Sequence, residues 1–478
     1  MNYRMIGYLL GLILSIEAAL LLCPLLVALI YNEPTTPYLM TILILAIAAF
    51  LLILLKPKNT RIYVKEGFVC VAGAWILLSA FGALPFVFGG TIPSYVDAFF
   101  ETVSGFTTTG ATILWEVEGL DKSILFWRSF THWVGGMGVL VFMLAILPSA
   151  DGHAIHLMRA EVPGPTKGKL VPRIRQTALI LYGIYVLLTV LETVLLCIAG
   201  LPFYDALVNA FATTGTGGFA LKNISIAGYQ NPAVEWIIAI FMFLCGINFN
   251  LYFFLLMRRF REVWRSEELR AYLLICGAST VLIALNTFRM SSGPEHCLRT
   301  AFFQVSSIMS TTGFSTVDYN AWPEFSKTML VILTMLGACA GSTAGGLKLS
   351  RVLILCKNVW REIKHILHPR SVMVTRLDGE VLPDSTCRSA ANYFSLYLLL
   401  IAMCTLLISL DGYGLTTNLT ATLACINNVG PGLGLVGPLG NFSIYSNFST
   451  LLLSFVMLFG RLEIIPMLIL LSPSTWRK

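Results

Sequence analysis

The sequence predicts an all-α polytopic membrane protein of ten spans. The last eight spans fall into four parallel units of helix, short re-entrant helix, glycine loop and helix, and an extra N-terminal helix pair stands outside them. Three observations carry this expectation. The 478 residues are 56% hydrophobic and only 12% charged, about half the charge of an ordinary soluble domain. Ten stretches are apolar over a spanning length. Four shorter apolar stretches end in similar runs of small polar residues and glycine. So little charge cannot clothe a soluble globule, which excludes a cytosolic globular enzyme, a disordered chain and a secreted disulfide scaffold. The 11 cysteines lie mostly within apolar stretches and contain no C-x-x-C pair, so they read as small buried hydrophobes.

A spanning helix needs about 20 mostly apolar residues. Such stretches lie at 5–30, 37–56, 67–91, 124–148, 176–201, 233–257, 271–290, 328–350, 390–411 and 448–472. The first leads through Asn32-Glu33-Pro34 into the second, so it reads as an anchor and not a signal peptide. Most of the 32 Lys and Arg residues cluster at 56–65, 159–175, 258–270 and 348–388 or at the two ends. All of these fall on one side if both termini are cytoplasmic, and the excess of seven positive charges is an orientation signal. Lys122, Arg128, Lys222, Arg289, Arg299 and Lys327 fall on the other side.

The short apolar stretches are too short to cross and suit re-entrant segments. Val96 to Phe106 runs into Thr107-Thr108-Thr109-Gly110. Phe203 to Thr213 runs into Gly215-Thr216-Gly217-Gly218. Arg299 to Met309 runs into Ser310-Thr311-Thr312-Gly313, and Thr417 to Asn427 into Asn428-Val429-Gly430. Each lies between two spans, at closely similar intervals. The expected units are a transmembrane helix pair at 1–60 and four helix–pore loop–helix repeats at 61–150, 151–260, 261–375 and 376–478. Every copy begins and ends on the same side, so the copies are parallel and can surround one pseudo-fourfold axis.

Extended backbone at membrane depth is tolerated only where it is buried in protein or lines water. Four such loops around an axis would present rings of carbonyl oxygens able to replace the water around a monovalent cation. Glycine suits this because it reaches positive φ and leaves no Cβ in the opening.

These residues carry a resemblance. Gly82-Ala83-Leu84-Pro85-Phe86, Trp133-Val134-Gly135-Gly136-Met137-Gly138, Asn427 through Gly434 and Phe459-Gly460-Arg461-Leu462-Glu463 resemble the Trk/Ktr/HKT potassium transporter superfamily. The bacterial TrkH/TrkG-type branch, which has an extra N-terminal helix pair, is the most similar. The likeness covers essentially the whole chain. It implies potassium translocation across the bacterial inner membrane by a homodimer on a cytosolic nucleotide-binding regulatory subunit (TrkA-like), with membrane lipid around it. K+ is the transported ion, with no organic cofactor and no nucleic acid. By residue-to-residue match the filter glycines are Gly110, Gly218, Gly313 and Gly430. The carbonyls before them, at Thr108-Thr109, Thr216-Gly217, Thr311-Thr312 and Asn428-Val429, are the expected ion ligands. Gly110 stands where sodium-preferring plant relatives carry serine, which favours potassium. The second loop departs from the pattern, being dense in glycine at Gly215 and Gly217.

Two further elements follow. Span eight contains Gly337, Gly341, Gly345 and Gly346 within ten residues, with Ser342 and Thr343 among them. Glycine costs about 1 kcal/mol against alanine in a helix, which argues for a broken segment; close packing through small residues is the other reading. The resemblance implies an intramembrane gate, with Lys348 either holding the loop or facing the cytosol. Arg461 is expected well inside span ten, where a charge needs a polar cavity or a partner. Either it pairs with a remote carboxylate or it sets a positive charge below the loops.

Other signals are set aside. Gly432-Leu433-Gly434-Leu435-Val436-Gly437 spells G-x-G-x-x-G but lacks the strand and helix of a dinucleotide site. His153/His156 and His365/His368 form H-x-x-H pairs in basic stretches, with no carboxylate or cysteine beside them. No nucleophile or zincin signature points to an enzyme. The rival expectation is an ion-coupled symporter using protons or sodium at a midplane site, for which inverted repeats would be the mark.

Overall fold

The computed structural model describes residues 1–55, 57, 63–138, 174–371 and 373–476. Lys56, Lys58, Arg61, Arg159, Lys167, Lys169, Arg173, the second half of expected span four and the His153/His156 pair lie outside them. The described chain is predominantly helical. Helices α1 (Tyr3–Leu20) and α2 (Leu22–Tyr31) make the first expected span, and α3 (Thr36–Ile53) the second. Next come α4 (Val64–Gly82), α5 (Leu84–Phe88), the short α6 (Tyr95–Phe106) and α7 (Lys122–Gly136). After them follow α8 (Ile174–Ile198), the short α9 (Phe203–Thr214), α10 (Pro232–Cys245) and α11 (Phe249–Leu256). The next group is α12 (Phe260–Arg265), α13 (Glu267–Thr287), the short α14 (Pro294–Met309), α15 (Glu324–Leu336) and α16 (Leu349–Leu367). A two-residue hairpin, β1 (Arg376–Leu377) with β2 (Glu380–Val381), leads into α17 (Asp384–Ile408). The short α18 (Leu415–Ile426), α19 (Asn447–Leu462), α20 (Ile464–Leu471) and α21 (Pro473–Trp476) close the chain.

Among the described residues six helices are long and apolar enough to cross a membrane: Tyr3–Tyr31, Thr36–Ile53, Lys65–Phe88, Ala178–Ile198, Glu267–Met290 and Asp384–Asp411. A seventh arises if α10 and α11 count as one span, bent by 92°. Expected spans eight and ten differ because their helices break, and expected span four runs past the described residues. Helix α15 stops at Gly337, which has φ 66°. Helix α19 stops at Glu463, with φ 65°. Arg461 therefore sits in the last turn of a helix, where sequence reading places it mid-span.

Burial sorts the helices into centre and periphery. The four short helices are buried nearly all round; every residue from Ala98 to Phe106 and from Gln304 to Met309 is buried. A helix without a polar face is an interior helix. The long helices are only partly covered, and α3 leaves Leu43, Ile47, Phe50 and Leu51 exposed, the pattern of a surface that lipid covers. Local signals start the short helices. Ser94 accepts from the Asp97 N–H at 3.4 Å, and Pro294 occupies the first turn of α14, where its missing N–H costs nothing.

Candidate functional site

Each short helix ends in the same way. The residue two before the key glycine is left-handed: Thr108 at φ 55°, Thr216 at 54°, Thr311 at 58° and Asn428 at 53°. The next N–H reaches back five residues, Thr109 to Ser104 O, Gly217 to Ala212 O, Thr312 to Ser307 O and Val429 to Ala424 O, at 2.8–2.9 Å. This is the hydrogen bond of a glycine-type helix stop, made without glycine at three threonines and one asparagine. A β-branched residue at positive φ is an outlier costing about 1–3 kcal/mol, and such strain persists only where the surroundings fix it.

The key glycines follow, at φ 79° for Gly110, 78° for Gly218, 87° for Gly313 and 94° for Gly430. Each lies against the next loop. A Cβ on Gly110 would stand 2.0 Å from Gly217 O, one on Gly218 2.0 Å from Thr312 O, and one on Gly313 2.1 Å from Val429 O. One on Gly430 would stand 2.6 Å from Thr109 O. The fourth contact returns to the first loop, so the four loops form a closed circuit. All twelve residues expected at this site, from Thr108-Thr109-Gly110 through Asn428-Val429-Gly430, are brought together. Side chains tie the quarters: Asn428 Nδ2 donates to Thr109 Oγ1 at 2.9 Å. Gly110, Gly218, Gly313 and Gly430 together line one cavity, beside Arg128 and Lys222.

The glycine-rich segment lies against these loops. Gly345 N–H donates to Thr311 Oγ1 at 2.8 Å, and a Cβ there would meet Asn427 O at 2.7 Å. Gly337, Gly341 and Gly346 have positive φ, so the segment is broken, not helical. Its backbone docks on the α10–α11 break. Cys339 N–H donates to Gly246 O at 3.1 Å and Phe249 N–H to Gly341 O at 3.0 Å. Lys348 holds the loop: buried and at φ 70°, it donates through Nζ to Ala344 O. Ser342 Oγ donates to Cys339 O. Arg461 donates to Thr343 O at 2.6 Å and to Gly135 O and Gly136 O at 2.5 and 2.8 Å. These bonds satisfy carbonyls left over at a helix end and at a break. Glu463 pairs with Arg351 at the start of α16.

Three groups escaped sequence reading. Glu268 on α13 accepts from the N–H of Ala340 at 2.7 Å and of Ser350 at 3.0 Å, joining both flanks of the glycine-rich segment. Glu101 on α6 pairs with Arg128 on α7 at 2.8 Å, with side-chain exposures of 0% and 2%. His132 on α7 bonds both Gly105 O and Phe219 N–H. The partners of Glu268 and His132 lie 72 to 87 residues away, with the exception of Gly105, so no local spacing announces them.

A closed circuit of four backbone loops at the ends of buried short helices, ringed by apolar helices, defines a multi-span membrane transport protein and not an enzyme. The family described as "TrkH: Cation transport protein" matches residues 38–478. The chain is 38% identical to the Trk system potassium uptake protein TrkH of Escherichia coli strain K12 and 37% to that of Salmonella typhimurium, each comparison covering 100% of both sequences. The crystal structure of the potassium transporter TrkH from Vibrio parahaemolyticus matches with a TM-score of 0.89 at 33% identity, over 100% of both chains. The chain belongs to the TrkH family of cation transport proteins.

Proposed function

We propose that the chain is the pore-forming subunit of a Trk-type potassium uptake system in a bacterial inner membrane. Ten spans, some broken, cross it with both termini cytoplasmic, and the regions 61–150, 151–260, 261–375 and 376–478 are its four pore repeats. The carbonyls around Gly110, Gly218, Gly313 and Gly430 form the selectivity filter for K+, and the segment Gly337–Lys348 with Arg461 gates it. The active form is a homodimer on a cytosolic nucleotide-binding regulatory subunit. One observation carries this reading: each glycine abuts a carbonyl oxygen of the following loop, and the fourth closes on the first. Peptide oxygens gathered at one level can replace the water around an unhydrated cation.

The test is growth rescue of a potassium-uptake-deficient bacterium at low potassium, with rubidium and sodium flux measured on the same cells. Rescue with rubidium flux exceeding sodium flux is expected; an inserted protein that passes no alkali cation with its partner supplied would refute the reading. Gly110→Ser sharpens it. A side chain directed at Gly217 O should loosen discrimination, and unchanged selectivity would count against the filter.

A coupled symporter draws on a separate observation. The buried Glu17 carboxylate on α1 has no hydrogen-bond partner among the described residues. Its Oε1 lies near Gly82, beside Phe106 and Thr102 of α6, behind the loops and not among them, which favours the pore reading. Potassium entry that alkalinises the medium in step with flux would favour symport.

A further inference from the structure

The second loop is the odd quarter of the circuit. Before its key glycine it carries Gly217 where the other loops carry Thr109, Thr312 and Val429. Two residues earlier it carries Gly215 where they carry Thr107, Ser310 and Asn427. In the first and third loops these paired positions bond each other, Thr107 Oγ1 to Thr109 Oγ1 at 2.7 Å and Ser310 Oγ to Thr312 Oγ1 at 2.7 Å. The second loop cannot make that bond.

One residue of α7 occupies the space instead. A Cβ on Gly217 would stand 2.2 Å from Cγ and 2.3 Å from Nδ1 of His132, and one on Gly215 2.5 Å from His132 O. Real Cβ atoms do not approach so closely, so Gly217 is required by the imidazole ring and Gly215 by the α7 backbone at the same residue. The imidazole is fully buried and bonded at both nitrogens. Nδ1 lies 2.7 Å from Gly105 O of α6, and Nε2 accepts from the Phe219 N–H, one residue past Gly218, at 3.3 Å. The bonding fixes the tautomer, because a carbonyl only accepts and an amide only donates: Nδ1 carries the proton and Nε2 does not. Phe219 is held further, its ring 4.2 Å from the His132 ring and 4.0 Å from the Arg128 guanidinium.

We propose that His132 is a positioning and specificity-determining residue of the ion path: its neutral imidazole replaces the missing side chains of the second loop and sets the position of the Gly217 and Gly218 carbonyls relative to the first. The proposal rests on the pore reading. A selective site depends on the placement of its oxygens, so the histidine acts on discrimination between cations and not only on folding. It ties adjacent quarters, as Asn428 and Thr109 do between the fourth and first.

The test compares rubidium and sodium uptake, at matched membrane abundance, for the wild type, His132→Ala, the volume-filling His132→Leu, Gly217→Thr and the double variant His132→Ala/Gly217→Thr. Both His132 variants should lower the rubidium-over-sodium ratio by about tenfold, the equivalent of one buried hydrogen bond lost. Gly217→Thr alone should abolish uptake by collision with the ring. The double variant should recover uptake and most of the ratio, because the threonine fills the vacated space with the side chain that Thr109 and Thr312 place at the same point of their loops. A wild-type ratio in both His132 variants, or a double variant no better than Gly217→Thr, would overturn the proposal. If the single variants do not reach the membrane, insertion and selective flux of the double variant support the pairing, and its failure overturns it. A wild type with no cation flux would sink the pore reading instead, a result distinct from wild-type selectivity surviving the loss of His132.

Discussion

The circuit of loops and the glycine-rich segment beside it both bend the backbone through positive φ, yet they are held by different forces. In the circuit the restraints are short-range and neutral: helix-end hydrogen bonds of 2.8–2.9 Å and glycines flush against carbonyls. Around the glycine-rich segment charged side chains are added to neutral bonds such as Gly345 N–H to Thr311 Oγ1. Lys348 holds Ala344 O, Glu268 holds the N–H groups of Ala340 and Ser350, and Arg461 holds Thr343 O. A close-packed neutral circuit has one good arrangement, because any shift costs contact at once. A loop held by long charged side chains can exchange one carbonyl partner for another. The contrast suits a rigid selecting element beside a switchable one, since switching needs a bistable element.

Four substitutions would break or sharpen this contrast. The largest effect belongs to the circuit: Gly313→Ala puts a methyl 2.1 Å from Val429 O, so the loops must shift and the rubidium-over-sodium uptake ratio should collapse, as expected for Gly110→Ser. A wild-type ratio would mean that the loops yield without moving their oxygens. Next is Glu268→Ala. It orphans two N–H groups, a loss of about 1.5–3 kcal/mol for bonds to a charged group. It should lower the thermal stability of the purified protein and, on the proposed reading, raise rubidium flux measured without the proposed regulatory partner. Flux equal to that of the wild type would separate Glu268 from the proposed gate. Arg461→Gln, which frees three carbonyls, should raise uptake several-fold, an energy of about 1 kcal/mol; equal or lower uptake at equal abundance would oppose it. The smallest is Lys327→Ala. Its ion pair with Glu324 is at the surface, so stability should change by less than about 1 kcal/mol and flux not at all. A large change there would show that electrostatics acts well beyond the two regions.

The sequence was most legible where chemistry repeats. The four loops, their glycines and the short helices before them could be read because the same pattern recurs between apolar stretches; α6 and α9 begin and end within a residue or two of the reading. The helix breaks were partly legible. Gly337 sits among other glycines and announces one. Glu463 does not, since a non-glycine at positive φ has no local signature and its surroundings, Leu462 and Ile464, read as ordinary helix. The same silence hid the break two residues past Arg461: hydropathy counts apolar residues and does not register a turn that leaves the helix between them. His132, Glu101 and Glu268 were invisible for another reason. Each is one of several polar residues in its helix, and what sets it apart is a partner that only the fold brings near. The density of glycine in the second loop was the one available clue to His132, because a missing Cβ implies something large on the other side.

The circuit closes within a single polypeptide, and this has an evolutionary consequence. An assembly of four identical subunits changes every side of its opening with each mutation. Here a mutation touches one side alone. Asn428 on one quarter and a borrowed imidazole on another are differences that strict symmetry would forbid. Such a chain can drift in quarter steps, each mild enough to survive selection.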